Sequence, residues 1–386
     1  MKKTILAMTL LVAAIVFAVG MASCSNLLER LEEGGKVAAG NDNPESGTEP
    51  SHEHTYSEDW TRDATHHWKA ATCGHTEEKG DFAEHSIEWQ ITKEPTETQE
   101  GRNERTCTVC RYTDSVVLQP APEGFRFVGG TTITGTESWT PTSNVFVSGR
   151  SLTIPDLIVS DHEVTRGEYK AVMGSDPSTA SAYDKDGNEL TGDDVLNNPV
   201  NRVSWYAALV YCNKLSIKEN LTPCYTINGS TNPDDWGTVP TSSPNATWDA
   251  ATCNFKANGY RLPTEAEWEW LARGGENYEY AGSDNVDDVA WYTGNTNGTR
   301  EVKTKAPNRY GLYNMSGNVW EWCWDWYVSS ISTTTPEYGA SSGSSRVVRG
   351  GSWGNGASNV RCAGRYRSSP GDGDYGGFRV VRSGTS

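Results

Sequence analysis

Cysteine and histidine are the residue types in this chain best suited to bind a metal, and most of the histidines lie in one segment with three of the nine cysteines. Six of the seven histidines lie between positions 52 and 118, together with Cys73-Gly-His75 and Cys107-Thr-Val-Cys110. Thiolate and imidazole groups are the usual ligands of structural zinc. Cys73, His75, Cys107 and Cys110 are therefore predicted to bind zinc and to stabilise a small module with few aliphatic residues. The alternative is a Cys107–Cys110 or Cys73–Cys107 disulfide beside solvated histidines.

A second group of residues, at positions 346–382, combines arginine-rich segments with loops. Residues 346–353, 361–365 and 377–382 are typical of framework, whereas 354–360 and 366–376 are small and polar. Loops held on a rigid framework are typical of a recognition site. The seven arginines here are predicted to be buried struts that bind carbonyls and carboxylates, with an anion-binding patch as the alternative.

No nucleophile and general base stand at a spacing typical of catalysis. His162 is the one histidine outside positions 52–118, and we expect it to pack beside the Val164-Thr165 turn. Glu265, Glu267 and Glu269 have helical spacing, which favours capping and surface roles over paired acid–base chemistry.

Composition bounds the class of protein and its partners. The chain has 386 residues and a formal charge of 33 − 50 = −17, so nucleic acid is excluded as a partner because phosphate binding needs a basic face. Fifteen tryptophans, 17 tyrosines and 39 glycines predict a loop-rich fold with an aromatic core.

The N-terminus is typical of a lipoprotein signal peptide, predicted over residues 1–23. Lys2-Lys3 precedes an apolar run at 5–19, and Met21-Ala-Ser-Cys24 resembles a lipobox, which implies lipid on Cys24. An ordinary secretory peptide is the alternative. Residues 24–51 are predicted to be a flexible tether. We expect a bacterial cell-envelope location, outer-membrane and surface-exposed, because Ser25 rather than Asp follows the cysteine.

The remaining chain predicts two folded parts, a His/Cys-rich module at 52–118 and a domain at 123–386, joined by Pro120-Ala-Pro122. Capping-box patterns begin helices at Thr165 and Thr264, and apolar spacing predicts a further helix over 203–215. Short strands at 124–130 and 157–164 and long polar segments complete the pattern. The predicted fold class is α+β.

Five motifs point to a known family. They are Asn198-Pro-Val-Asn-Arg-Val-Ser-Trp205, Tyr260-Arg-Leu-Pro-Thr-Glu-Ala-Glu-Trp-Glu-Trp270, Gly311-Leu-Tyr-Asn-Met-Ser-Gly-Asn-Val-Trp-Glu-Trp322, Arg349-Gly-Gly-Ser-Trp353 and Gly377-Phe-Arg379. This set resembles the sulfatase-modifying-factor domain, whose members include formylglycine-generating enzymes. The resemblance covers residues 123–383 and implies a C-type-lectin-like fold with much irregular structure.

The resemblance does not extend to the catalytic residues. Formylglycine-generating enzymes that use oxygen need two cysteines just after the Gly-Gly-Ser-aromatic motif to bind copper. Residues 354–360 contain no cysteine, and Cys362 matches a separate framework cysteine. We therefore expect no copper and no catalysis. The alternative is a formylglycine-generating-type oxidase or another enzyme of this fold.

In the family, the segment that matches residues 314–321 surrounds a calcium ion. Carried over to this chain, the ligands would be the Asn314 side chain, the Gly317 and Val319 carbonyls and the Glu321 carboxylate, all oxygen donors suited to calcium. The predicted calcium is structural. The alternative is an aromatic packing motif in which Glu321 binds an arginine.

The chain is still more similar to a smaller group of the same fold, the lipid-anchored Treponema-type variable proteins that retroelements diversify at asparagine codons. Glu, Lys, Gln, Met and Trp cannot be reached from AAC or AAT by changing adenines, and none of them occurs at 354–386. Ordinary loop composition is the simpler explanation. The residues expected to form a variable binding face, with Trp353 at its floor, are Gly354, Gly356, Ser358, Gly364, Tyr366, Ser368, Ser369, Gly371, Asp372, Gly373, Asp374 and Tyr375.

These expectations combine into a functional hypothesis. The chain is predicted to be a non-catalytic, membrane-anchored protein whose C-terminal loops bind a protein or another surface ligand. A structural envelope protein whose loops bind nothing specific is a third possibility.

Overall fold

The computed structural model describes residues 53–73, 75, 77–135, 143–374 and 376–384. Cys24, the predicted signal peptide and the predicted tether lie outside the described residues, as does Tyr375. Residues Thr55–Ser386 cluster by their contacts into one unit. Among the described residues, no helix is both long enough and apolar enough to cross a membrane.

The His/Cys-rich module consists of two antiparallel three-stranded sheets, ordered β1-β2-β3 and β4-β5-β6. Its strands are β1 (Tyr56–Arg62), β2 (His66–Ala71), β3 (Lys79–Glu84), β4 (Gln90–Lys93), β5 (Gly101–Thr106) and β6 (Thr113–Leu118). About half of the residues in these strands are exposed, and Leu118 is the one aliphatic strand residue of the module that is buried. Sheets this small are marginal unless another interaction holds them.

The module packs on the larger domain through polar contacts. Asn103 is fully buried and donates to the carbonyls of Asn308 and Arg309 at 3.1 and 3.2 Å. Arg105 donates to the Glu276 carboxylate at 2.9 Å, and the buried Trp89 indole donates to the same group at 3.2 Å. Residues on both sides of the predicted 120–122 linker therefore belong to one packed unit.

Three helices of the larger domain arise where the sequence predicts them. They are α1 (Arg166–Met173), α2 (Trp205–Lys218) and α4 (Glu265–Arg273), with single-turn helices α3 (Ala246–Asp249) and α5 (Val286–Val289) and 3-10 turns at Gly192–Asn197, Pro233–Asp235 and Ala357–Asn359. Both predicted capping boxes are confirmed: the Thr165 and Thr264 side chains each accept an N–H from the third helical residue.

The strands of the larger domain are short and form several small sheets. They are β7 (Phe125–Val128), β8 (Thr131–Thr134), β9 (Ser151–Ile154), β10 (Leu157–Ser160), β11 (Ala182–Tyr183), β12 (Glu189–Leu190), β13 (Tyr225–Thr226), β14 (Thr252–Cys253), β15 (Thr299–Arg300), β16 (Trp320–Trp326), β17 (Arg346–Arg349), β18 (Arg365–Ser368), β19 (Gly376–Gly377) and β20 (Val381–Ser383). The largest sheet has the order β18-β17-β16-β19. This mixture of short strands and few helices confirms the predicted α+β class.

Large aromatic residues form much of the core, as the composition predicts. Trp205, Trp268 and Trp322 are fully buried, and their indole nitrogens bind Cys323 O, Glu321 Oε2 and Val203 O. A buried indole N–H without an acceptor would be costly, so these bonds fix the tryptophans in place. The aromatic core thereby positions β16 between β17 and β19 in the largest sheet.

Candidate functional site

The largest sheet carries an open cleft of about 350 Å³ at the C-terminal end of the chain. Its lining residues are Trp320, Trp322, Ser345, Val348, Tyr366, Arg367, Ser368, Ser369, Asp372, Asp374 and Gly376. Five of them belong to the set expected from the sequence to be variable. The sheet therefore gathers these five around one opening.

Two aromatic rings define the shape of this cleft. Tyr366 pairs with Val348 in the sheet register, and 57% of its surface is exposed. Its ring stacks on Trp320, with 5.5 Å between ring centroids and 26° between planes. Trp320 is only 8% exposed, so it forms a rigid floor under a tyrosine wall.

The sequence-based expectation for the floor is corrected by this geometry. Trp353 is half-buried, and its backbone N–H donates to Asn318 O at 2.9 Å, but it is not among the residues that line the cleft. Trp320 takes that role instead. The sequence contained a signal for this floor in the strand Trp-Glu-Trp-Cys-Trp-Asp-Trp. Alternate residues of a strand share a face, so the pattern predicts a row of tryptophans on one side of the sheet.

Four of the other expected binding residues lie at different openings. Ser358 and Gly364 line a groove of about 660 Å³ together with Tyr327 and Ser329. Gly371 and Gly373 lie beside an opening of about 550 Å³ against the 202–204 and 239–243 segments, which Ser369, Asp372 and Asp374 also border. The predicted face is thus divided among at least three openings.

The glycines in this set differ in whether they could carry a side chain. A Cβ built on Gly371 would lie 2.5 Å from the carbonyl carbon of Ser242, and one on Gly373 would lie 2.9 Å from Arg202 O. On Gly364 it would lie 2.9 Å from Asn359 O. A Cβ on Gly356 would meet no atom within 4 Å. A Cβ on the exposed Gly354 would have its nearest neighbour at 3.9 Å, which is ordinary contact. Only the last two glycines are free to vary without movement of the backbone.

Buried ion pairs hold the loop at 350–364 at both ends. Arg349 and Arg365 face each other across β17 and β18. Arg349 donates to Glu269 at 2.5 Å, and Arg365 binds both oxygens of Glu265 at 2.5 and 2.7 Å. Glu265 and Glu269 are 2% and 0% exposed, so the expectation that they serve the surface is wrong. Of the three glutamates, Glu267 caps α4 as expected, while it also binds Arg261.

The strut interpretation is confirmed for the buried arginines of the C-terminal segment. Arg346 lies between the rings of Trp205 and Trp326, at 3.7 and 3.5 Å, and donates to Trp324 O. Arg379 is fully buried and binds both oxygens of Glu321. The guanidinium groups thus support the loops together with the pairing of β17 and β18.

The predicted calcium ligands are engaged with other partners. Both Glu321 oxygens accept from Arg379 at 2.7 Å, and Trp268 donates to Oε2 at 2.7 Å. The Asn314 side-chain oxygen accepts the Lys303 backbone N–H at 3.0 Å. A buried guanidinium already neutralises the one carboxylate, so these residues fit the arginine alternative better than a calcium ion. The Gly317 and Val319 carbonyls lie in the same loop, and calcium binding there stays a prediction.

The cysteines of the framework are not activated nucleophiles. Burial raises the pKa of Cys362 to about 12, and it raises the pKa of Cys323 well above its ordinary value. Both thiols are therefore neutral at physiological pH. Only the thiolate form of cysteine reacts or binds copper, so neither residue is ready for either role. Cys362 thus offers no replacement for the cysteines that 354–360 lack.

His162 has the structural role expected from the sequence. Its Nδ1 lies 2.5 Å from Asp161 Oδ1, and its Nε2 lies 3.4 Å from Glu168 Oε1. Burial acts to lower the pKa of His162, but the two carboxylates outweigh burial and raise it to about 9. The imidazolium therefore links β10 to the start of α1 as an ion pair and has no substrate-facing position.

The predicted zinc ligands are not brought together as a set. Cys107 and Cys110 lie within 4.8 Å of His67 and His85, whereas Cys73 lies beside His75 with 3.4 Å between Sγ and Nδ1. Cys107 and Cys110 are thiols and not a disulfide. Proximity along the chain favoured Cys73 and His75, but strand pairing selects different histidines.

Short strands, few helices and long segments held by buried arginines define the class of C-type-lectin-like folds that includes formylglycine-generating enzymes. The family model described as "Sulfatase-modifying factor enzyme 1-like domain" matches residues 113–384. The chain therefore belongs to this family, as the motifs predicted.

The relatives of this chain include a variable protein, a chaperone protein and a formylglycine-generating enzyme. Treponema denticola variable protein 1 is 36% identical with a TM-score of 0.58, covering 72% of this chain and 99% of that one. "Chaperone protein LppX" of Paenibacillus barcinonensis is 38% identical over 269 residues, which are 63% of this chain and 85% of that protein. The formylglycine-generating enzyme of Streptomyces coelicolor is 39% identical over 125 residues, only 40% of its length and 28% of this chain.

Proposed function

We propose that this chain is a non-catalytic, surface-anchored lipoprotein that binds a ligand in the cleft formed by Trp320, Tyr366 and the 368–374 segment. The observation that carries the proposal is the convergence of five candidate variable residues on that one cleft, over a rigid aromatic floor. Rigid aromatic residues beside small polar ones are typical of adaptable binding sites. The calcium ion and the lipid on Cys24 belong to the same proposal.

The chemistry of the cleft suggests its type of ligand. Tyr366 offers an exposed ring, Arg367 is a cation at the rim, and Asp372 and Asp374 are exposed carboxylates. Such a mixed surface suits a protein or peptide with both polar groups and an aromatic or aliphatic side chain. Similarity to Treponema denticola variable protein 1 over nearly all of that protein supports the binding role.

An oxidase of the formylglycine-generating type is the alternative, because enzymes of that name match part of the chain. Sequence counts against it, since no cysteine lies at 354–360 and Cys362 is a buried neutral thiol. The test is to load the purified protein with copper and to assay a cysteine-containing sulfatase peptide. The Streptomyces coelicolor enzyme is the positive control, and robust turnover by this chain would refute the proposal.

A second experiment tests the cleft directly. One display library varies Tyr366, Ser368, Ser369, Asp372 and Asp374 with codons derived from AAC. A matched library varies five exposed residues in and beside the β11–β12 hairpin, Ser181, Lys185, Asp186, Asn188 and Glu189. After selection on streptavidin, the cleft library should give at least about tenfold more binders. Equal recovery from both libraries would show that the cleft is an ordinary surface.

The coding DNA provides a third test, on diversification itself. A near-copy of the last forty codons, differing only at adenines and adjacent to a reverse transcriptase gene, is the expected finding. A lone gene without such a copy would remove programmed variation from the proposal and leave a fixed binding site.

A further inference from the structure

We propose that His67, His85, Cys107 and Cys110 bind a structural zinc ion that joins the two sheets of the N-terminal module. One ligand atom from each of these four residues lies within 4.8 Å of the others. His67 lies on β2, His85 directly follows β3, and both cysteines lie in the turn between β5 and β6. The four residues come from three separate segments and from both sheets.

The spacing of the ligand atoms matches a tetrahedral zinc ion. With Zn–N of about 2.0 Å and Zn–S of about 2.3 Å, a tetrahedron places two nitrogens about 3.3 Å apart and a nitrogen and a sulfur about 3.5 Å apart. The Nδ1 atoms of His67 and His85 are 3.4 Å apart. Cys110 Sγ lies 3.4 Å from His85 Nδ1, and Cys107 Sγ lies 3.8 Å from His67 Nδ1.

A hydrogen bond outside the cluster orients one of the histidines. His85 Nε2 lies 2.9 Å from the Asp63 carbonyl oxygen, which can only accept, so Nε2 carries the proton. In a neutral imidazole this leaves the lone pair on Nδ1, the atom that faces the cysteines. Tyr112 stacks on the same ring at 4.6 Å, and the Trp60 ring packs edge-on against His67 at 4.7 Å. Such outer contacts are typical of metal-binding histidines.

Burial and ligand number indicate a structural site and not a catalytic one. Cys107, His67 and Cys110 are 0%, 4% and 5% exposed. Four protein ligands fill a tetrahedral shell, which leaves no position for water or substrate. The turn that carries the cysteines is tight, since Arg111 adopts φ 62° and its N–H donates to Cys107 O at 3.0 Å.

The module gains a core that its side chains do not otherwise provide. Each sheet has three short strands in which about half of the residues are exposed, and sheets of that size are marginal alone. A zinc ion bound from both sheets would fix their relative orientation. Zinc binding here does not depend on whether the C-terminal cleft binds a ligand.

Elemental analysis of the purified full-length protein tests the assignment. We expect one zinc per chain in the wild type. The zinc content should fall at least about tenfold in His67→Ala and in His85→Ala, because each variant loses a direct ligand. Cys73→Ser and His75→Ala are the matched controls and should retain one zinc. Full zinc retention by both His67→Ala and His85→Ala, or zinc loss in the controls, would overturn the assignment. So would an intact-mass measurement that shows a Cys107–Cys110 disulfide in the native protein.

A conservative variant separates ligand loss from failure to fold. His85→Cys replaces one zinc ligand by another, so the variant should retain its metal. After exchange of zinc for cobalt, the thiolate-to-cobalt absorption should rise by about half, because three thiolates replace two. An unchanged cobalt spectrum in a folded His85→Cys protein would show that residue 85 does not contact the metal.

Discussion

Replacing Arg379 by methionine is expected to destabilise the domain by about 3–5 kcal/mol, because it leaves the Glu321 carboxylate buried without its cation. Arg379 and Glu321 are both 0% exposed, and two bonds of 2.7 Å join them. Arg379 also donates to the carbonyls of Tyr313 and Ser160, at 2.9 and 3.2 Å. These acceptors lose their donor as well, so the upper part of the range is the better expectation.

A double-mutant cycle measured by urea unfolding separates the pair from its surroundings. Glu321→Gln combined with Arg379→Met should be less destabilising than the sum of the two single variants, because the Glu321 charge is removed together with its partner. Arg361→Met is the control, since its ion pair with Glu279 is 47% and 35% exposed and should contribute less than about 1 kcal/mol.

Two outcomes would refute this reasoning. The first is an Arg379→Met loss no larger than that of Arg361→Met. The second is a calcium result: if removing calcium from the wild type costs as much as losing Arg379, then a metal ion and not the guanidinium is the main partner of Glu321. The same measurement therefore tests the predicted calcium site at 314–321.

Three further predictions concern pH, packing and the module. Burial and the neighbouring Glu265 raise the pKa of Asp325 to about 7, so the folded state binds this proton more tightly than the unfolded chain. The resulting stability is complete below about pH 4 and is lost progressively as pH rises to about 7. Asp325→Asn should lack the part of this loss, about 3 kcal/mol, that falls in urea titrations between pH 5 and 8, and parallel curves would contradict it. Gly371→Ala should lower the thermal midpoint by the equivalent of about 1–3 kcal/mol because its Cβ meets the Ser242 backbone at 2.5 Å, whereas Gly356→Ala should change it little; equal effects would contradict the assignment of open and closed positions. Glu276→Ala should increase hydrogen exchange across β5, since Arg105 and Trp89 both bind that carboxylate, and unchanged exchange would show that the contact does not hold the module.

Local sequence patterns predicted much of the fold. The Thr165 and Thr264 caps act over three residues, so the sequence alone is sufficient to place the starts of α1 and α4. The second helix was predicted over 203–215 and spans Trp205–Lys218, with Ser204 as its cap. The family motifs predicted the C-type-lectin-like fold, because their residues and spacing are specific even where secondary structure is sparse.

The site was harder to predict because it depends on contacts between distant segments. Glu265 and Glu269 have the spacing of an exposed helix face, yet they are buried by arginines that lie 100 and 80 residues further along the chain. Trp320 becomes the cleft floor only when β18 pairs with β17 and places Tyr366 above it. His67 and His85 approach the cysteines through pairing of β2 with β3, which nothing in the Cys-x-His spacing reveals.

The two arginines that close the loop at 350–364 determine which sequence changes the loop can tolerate. Both Arg349 and Arg365 end on carboxylates of one helix, α4, so the distance between the loop's ends is set outside the loop. A codon change at Gly354, Gly356 or Ser358 alters what the surface contacts without altering what holds it closed. Single nucleotide changes at these positions can therefore alter the exposed surface, with little risk that the same change unfolds the protein.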